Sequence, residues 1–150
     1  MNQLIDPNGR TVDYLRISVT DRCNERCLYC LTENHSGWMP RAGILRDAEL
    51  LAIVRAAVSL GFKRFRVTGG EPLIRPGAVD FIRELIATPG VESVQLTTNG
   101  TRLPELAQPL FNAGLRRMNI SLDAMDATTY RSITGGDLNS VLRGIRLVKK

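Results

Sequence analysis

The sequence predicts an α/β fold, a partial (β/α) barrel of about four parallel strand–helix units, and three observations carry that prediction. Segments with period-two apolar residues alternate with segments of helical spacing. Each unit takes about 25 to 30 residues or more, the length that a right-handed crossover between parallel strands requires. Every strand has one apolar and one polar face, whereas a sheet covered by helices on both sides would be apolar throughout. A small closed barrel, in turn, would fill its lumen with branched apolar side chains. Helices over the apolar face, with the polar face lining a cavity, fit a wide or open barrel that holds a polar ligand. A one-sided sheet with its polar face in water is the alternative.

The first strand runs from Tyr14 to Thr20, where Leu15, Ile17 and Val19 alternate with Arg16, Ser18 and Thr20. A cysteine-bearing loop and a stretch that includes Gly37 to Gly43 follow. Asp47 is expected to cap a helix carrying Leu50, Leu51, Val54, Ala57 and Val58, with Gly61 ending it. Arg64 to Thr68 reads as the second strand and runs into Gly69-Gly70-Glu71-Pro72. Phe81, Ile82, Leu85 and Ile86 mark a helix that stops before Pro89-Gly90. Ser93 to Thr98 is the third strand, closed by the turn Asn99-Gly100. Leu106, Leu110 and Phe111 belong to a helix ended by Gly114, and Arg117 to Leu122 is the fourth strand. Asp137 is expected to cap a last helix with Leu138, Val141, Ile145 and Val148.

At 150 residues, 43% of them hydrophobic, the chain can bury the core of one domain. The net charge of +5 is scattered along the sequence, which argues against a nucleic-acid stripe. No apolar run reaches the length of a membrane span and the first residues are polar, so no membrane association is expected and the cytoplasm is the expected location.

The chemistry is concentrated in one loop. Cys23, Cys27 and Cys30, all the cysteines of the chain, lie in the run Cys-Asn-Glu-Arg-Cys-Leu-Tyr-Cys. An odd, clustered set in a reducing compartment points to metal or redox chemistry rather than disulfides. Three thiolates can hold a cluster while leaving one metal position open. The alternative is a zinc site with His35 as the fourth ligand, which leaves the Gly-Gly-Glu-Pro loop unexplained. Ligands of α/β sheets gather at the carboxyl ends of the strands, and every conspicuous loop here sits there.

Cys-x3-Cys-x2-Cys with Tyr29 before the last cysteine, together with Gly-Gly-Glu-Pro after the second strand, resembles the radical S-adenosylmethionine (SAM) superfamily. The resemblance implies a partial barrel of the radical SAM type. It also implies that Cys23, Cys27 and Cys30 bind three irons of a 4Fe-4S cluster, whose fourth iron is chelated by SAM. Tyr29 would approach the adenine, Gly69 and Gly70 the methionyl amino group, and Glu71 would accept from that ammonium. Ser121 would touch the cofactor further along. The runs Arg16 to Asn24, Arg66 to Arg75, Leu96 to Gly100 and Met118 to Ala124, followed by Ile133-Thr134-Gly135, are more particularly similar to the GTP 3′,8-cyclase family of molybdenum cofactor biosynthesis. There, residues matching Arg16, Arg66 and Thr97 contact GTP, an electron-donor protein is needed, and the reaction is a lyase-type radical cyclisation. Paired guanidinium groups suit a triphosphate.

Read without the resemblance, several of these residues have plainer roles. Tyr29 could be a packing residue, Gly69-Gly70 an ordinary turn, Arg16 and Arg66 partners of a carboxylate such as Asp123, and Thr97 and Ser121 satisfiers of strand-end backbone groups. Asp123 and Asn99 receive no role. Another radical SAM enzyme, such as a peptide maturase or an activase, or a non-catalytic binding fragment, shares the cluster motif.

The cyclase family continues for about as many residues again, with more barrel strands, a lysine contact to GTP and a second 4Fe-4S cluster on three further cysteines. Residues 1–150 are therefore expected to be the N-terminal part of the radical SAM core, ending in or near the fourth helix. Its fourth strand would then be an edge open to a complementary C-terminal half or a second copy. Leu31-Thr32 stands where that family usually has Met-Pro. The isolated chain is predicted not to turn over GTP, and an anaerobic assay in which purified chain forms the cyclised nucleotide would refute this.

Overall fold

Alternation along the strands builds the sheet and decides which side of it is covered. The computed structural model describes residues 4–30 and 37–149. Strands β1 (Tyr14–Ser18), β2 (Arg64–Thr68), β3 (Ser93–Thr98) and β4 (Met118–Ile120) are all parallel and lie side by side in chain order. Register lines up like with like. Leu15, Phe65 and Val94 form one apolar row, and Ile17, Val67, Leu96 and Met118 form the next. On the opposite face Arg16, Arg66 and Gln95 stand in a row, and Thr97 lies beside Asn119.

Helices α1 (Asp47–Ser59), α2 (Ala78–Ala87) and α3 (Leu103–Asn112) cover the apolar rows, with Val54, Ile82, Leu85, Leu103 and Leu110 fully buried against Phe65 and Leu96. Each such side chain contributes about 1.5 to 3 kcal/mol on leaving water. A smaller cluster of Tyr130, Leu138 and Val141, joined by Ile120 and Leu122, packs α4 (Ala127–Thr134) and α5 (Leu138–Val148) beside β4. No helix among the described residues is long and apolar enough to cross a membrane.

Sequence and structure differ at a few points, each with a cause. The first and fourth strands are shorter than expected, although single bonds from the Val19 N–H to the Thr68 carbonyl and from the Ser121 N–H to the Thr98 carbonyl prolong their pairing. Asp47 is the first residue of α1 rather than its cap. Glu49 accepts from the Arg46 N–H at 2.8 Å, and Asp47 instead pairs with Arg75 at 2.5 Å. Phe111 is half exposed under the Arg116 guanidinium instead of filling the core.

Helix α4 was not legible from apolar periodicity, because it buries only Tyr130 and Thr134. Its ends carry the usual signals, an Asp126 carboxylate accepting from the Thr129 N–H and Gly135 at φ +69°. Asp137 caps α5 as expected, accepting from the Asn139 and Ser140 N–H groups. Strand β4 has β3 on one side and, among the described residues, no strand on the other.

Gly144 lies where α5 crosses the start of α3, and a Cβ there would meet Leu103 Cβ at 2.5 Å and the Gly100 carbonyl oxygen at 3.1 Å. Helix propensity alone favours Gly144→Ala by about 1 kcal/mol, but overpacking costs about 1 to 3 kcal/mol. Gly144→Ala is predicted to lower the denaturation midpoint, and an unchanged or raised midpoint would show that the crossing can relax.

Candidate functional site

The cysteine loop leaves the carboxyl end of β1 and is seated by backbone contacts with the loop after β2. The Gly70 N–H donates to the Thr20 carbonyl and the Glu71 N–H to the Arg22 carbonyl, each at 2.7 Å. Two glycines are needed for this approach. A Cβ on Gly69 would meet the Thr20 carbonyl oxygen at 2.5 Å, and one on Gly70 would meet that of Arg22 at 2.2 Å. The Gly-Gly pair therefore lies close against the backbone that leads into Cys23.

Glu71 is 1% exposed, and its carboxylate is committed on three sides. Oε1 accepts from the Leu73 N–H at 2.9 Å and the Thr98 hydroxyl at 2.8 Å, and Oε2 accepts from the Asn99 N–H at 2.7 Å. In this structure Glu71 joins the ends of β2 and β3. Burial pushes its carboxyl above the usual carboxylate range, against the pull of those three donors.

Asn99, held in this way, directs its side-chain amide towards Asn24 Oδ1 at 3.0 Å and Cys23 Sγ at 3.9 Å. The Glu25 N–H also approaches Cys23 Sγ at 3.4 Å. Donors on a sulfur of this kind tune a metal–thiolate centre.

Cys23 and Cys27 are half-buried and Cys30 is exposed, all as free thiols. Burial is the main cause that pushes the Cys23 and Cys27 thiols up, so metal must displace their protons. Among the described residues no three His, Cys, Asp or Glu side chains are placed to hold a single ion. A cluster spreads its thiolates over separate irons and asks for a wider set than one tetrahedral ion does. His35, the proposed fourth zinc ligand, and Leu31-Thr32 lie outside the described residues.

Tyr29 is 69% exposed and is no packing residue; its hydroxyl donates to Asp123 Oδ1 at 2.9 Å, and that bond raises the phenol's pKa. Ser121 is exposed on the same strand-end side as Asp123, its N–H spent on Thr98.

The sheet's polar face is not neutralised. Arg66 donates to Gln95 Oε1 at 2.5 Å and lies over the Tyr14 ring, and among the described residues no ion pair joins Arg16 or Arg66 to Asp123. Arg66 Nε and Thr97 Oγ1 are buried without a partner, as are Asp21 Oδ1 and Arg22 Nε at the start of the cysteine loop. Buried polar atoms are rarely left unmatched, so these four are notable. The three cysteines of the loop have the donor chemistry that an iron–sulfur cluster requires. A groove of about 1130 Å³ lies along the free edge of β4 beside Phe111, Met118 and Val148. It contains no cysteine, and the site is assigned to the strand ends that carry the thiols.

Glu25, Thr98 and Tyr130 were not singled out by sequence reasoning. Glu25 sits between two cysteines and is 4% exposed, accepting from the Tyr130 hydroxyl at 2.7 Å. Burial pushes its carboxyl up as well. Only the Ile133-Thr134-Gly135 run, quoted above without a role, hinted that the chain near α4 mattered.

Comparison with known proteins agrees with this geometry. A profile of the radical SAM superfamily matches residues 17–150. The chain is 48% identical over 148 residues to a GTP 3′,8-cyclase of Pseudomonas putida (strain W619), spanning 98% of this chain and 44% of that protein. It is 49% identical over 144 residues to one from Geobacter sulfurreducens, again spanning 44% of it. The chain thus spans less than half the length of these relatives. Among solved structures, Streptococcus suis SuiB bound to its precursor peptide SuiA superposes with a TM-score of 0.65 at 20% identity, over 90% of this chain and 29% of that one. BtrN in complex with AdoMet and 2-DOIA superposes with a TM-score of 0.59 at 22% identity, over 89% and 52%. These two likenesses establish the fold.

Two predictions follow from the geometry of the site. Gly70→Ala drives a Cβ into the Arg22 carbonyl, and is predicted to destabilise the chain by about 1 to 3 kcal/mol in urea denaturation; a loss below about 0.5 kcal/mol would show that the two loops separate freely. The raised carboxyl of Glu71 means that the folded chain keeps this proton to higher pH than the unfolded chain, whose reference value is 4.5. Its contribution to stability is full below that value and is lost as pH rises through the folded value. Stability of Glu71→Gln should accordingly fall less than wild type as pH rises from 4.5, and parallel pH profiles would refute the shift.

Proposed function

This chain belongs to the radical SAM superfamily, and we propose that it forms the cluster- and SAM-holding part of a GTP 3′,8-cyclase, a radical lyase of molybdenum cofactor biosynthesis. The reading is supported by a loop with three free thiols after β1 on a sheet whose polar face carries Arg66 Nε and Thr97 Oγ1 without a protein partner. The identity of 48% to a named GTP 3′,8-cyclase supports the particular substrate.

In this reading Cys23, Cys27 and Cys30 hold a 4Fe-4S cluster, with SAM at its open iron. When bound, that pair supplies one-electron cleavage of the sulfonium and hydrogen abstraction from the substrate ribose. The chain's own residues position and select. Tyr29 and Ser121, on the open side of the strand ends, flank the SAM nucleoside. Gly69 and Gly70 bring the next loop against the cysteine loop, and Glu71 fixes its edge. Arg16 and Arg66 take the triphosphate, since neither is neutralised by a carboxylate, and Thr97 supplies a hydroxyl to the same ligand. Gln95 and Tyr14 hold the Arg66 guanidinium in place from two sides.

The family's second cluster is not held by these residues, because every cysteine of the chain lies in the one loop. An electron-donor protein and a cytoplasmic, reducing setting complete the proposal.

Anaerobic reconstitution with iron and sulfide, followed by electron paramagnetic resonance of the reduced protein, tests it. The spectrum is predicted to change on adding SAM, and Cys30→Ala is predicted to lose most of the bound iron. A spectrum indifferent to SAM, or zinc alone bound after reconstitution, would overturn the assignment.

A further inference from the structure

The cysteine loop is gripped from a second side, by the chain that follows β4. The Arg26 N–H donates to the Thr134 carbonyl at 2.8 Å and the Leu28 N–H to the Ile133 carbonyl at 2.9 Å, so the last turn of α4 gives its carbonyls to the loop. Between them the buried Tyr130 hydroxyl donates to Glu25 Oε1 at 2.7 Å, across 105 residues of sequence. Tyr130 is 0% exposed and is locked in turn, because Thr134 Oγ1 donates to its carbonyl and accepts from the Gly136 N–H. The fit leaves no spare room. A Cβ on Gly136 would lie 2.2 Å from Glu25 Oε1.

These contacts act on the spacer between Cys23 and Cys27. We propose that Tyr130, through Glu25, is a positioning residue that holds the cysteine loop in its ligand-receiving shape before the cluster arrives and keeps the Glu25 carboxyl beside Cys23 afterwards. Helix α4 buries little apolar surface of its own, and its contribution is to give the loop a second wall opposite the Gly-Gly-Glu-Pro wall. Two walls fix the separation of the first two cysteines more tightly than a loop anchored on one side. The inference rests on the cluster reading given above.

The test compares wild type, Tyr130→Phe and Glu25→Gln by two measurements. In the metal-free chain, hydrogen exchange at the Arg26 and Leu28 amides is expected to be about tenfold faster in Tyr130→Phe, while the β2 and β3 amides keep their protection. Glu25→Gln retains an oxygen for the Tyr130 hydroxyl and is expected to stay near wild type. After reconstitution, Tyr130→Phe is expected to shift the cluster's midpoint potential, which a purely stabilising hydroxyl would leave alone. Unchanged exchange at both amides, or an unchanged potential, would overturn the proposal. If Tyr130→Phe does not fold, Glu25→Ala, a change in the loop, makes the same comparison. Failure of wild type to bind iron would refute the cluster reading, while the exchange comparison would still judge the clamp.

Discussion

One buried carboxylate organises the strand ends on which the site is built. Glu71 leaves water almost completely, and a carboxylate does so at a cost of several kcal/mol unless donors surround it. Here the donors come from its own 3₁₀ turn, Pro72–Ile74, and from the end of β3, through the Leu73 and Asn99 N–H groups and the Thr98 hydroxyl. Charge-assisted bonds of this kind offset the desolvation only when all of them are made together. The geometry of Asn99, and through it the environment of Cys23, is therefore tied to a residue on another strand's loop.

The second constraint is steric. Gly69 and Gly70 have no side chains where the backbone entering the cysteine loop passes, and their neighbour's N–H completes the seam at Arg22. A short loop carrying three thiols would sample many shapes if held only at its ends. Here it is seated against two glycines on one side and against the carboxyl end of α4 on the other. Burial pushes the Cys23 and Cys27 thiols up, so a metal binding there would have to displace their protons.

The parity of the strands links this loop to the sheet's polar face. Because all four strands are parallel and in register, the residues of one parity stack into rows, apolar beneath the helices and polar on the other side. The polar row of Arg16, Arg66 and Gln95 carries two guanidinium groups and no carboxylate. Two cations in one row with no carboxylate leave that face with a positive potential. Arg66 Nε and Thr97 Oγ1, buried and unmatched, mark the same place by their hydrogen-bonding capacity.

Short-range pattern was enough for much of this. The sequence by itself determined the parallel α/β architecture, the bounds of β2 and β3, the Asp137 cap and the cysteine loop, because alternation, helical spacing and ligand spacing are properties of neighbours along the chain. Tertiary structure alone decided that Asp47 pairs with Arg75 instead of capping, that Glu71 faces β3, and that an acid between two cysteines is met by Tyr130. Helix α4 escaped the sequence because its value lies in carbonyls and one hydroxyl offered to a distant loop, not in an apolar stripe. Contacts between residues far apart in sequence leave no periodic trace, and only folding brings them within hydrogen-bonding distance.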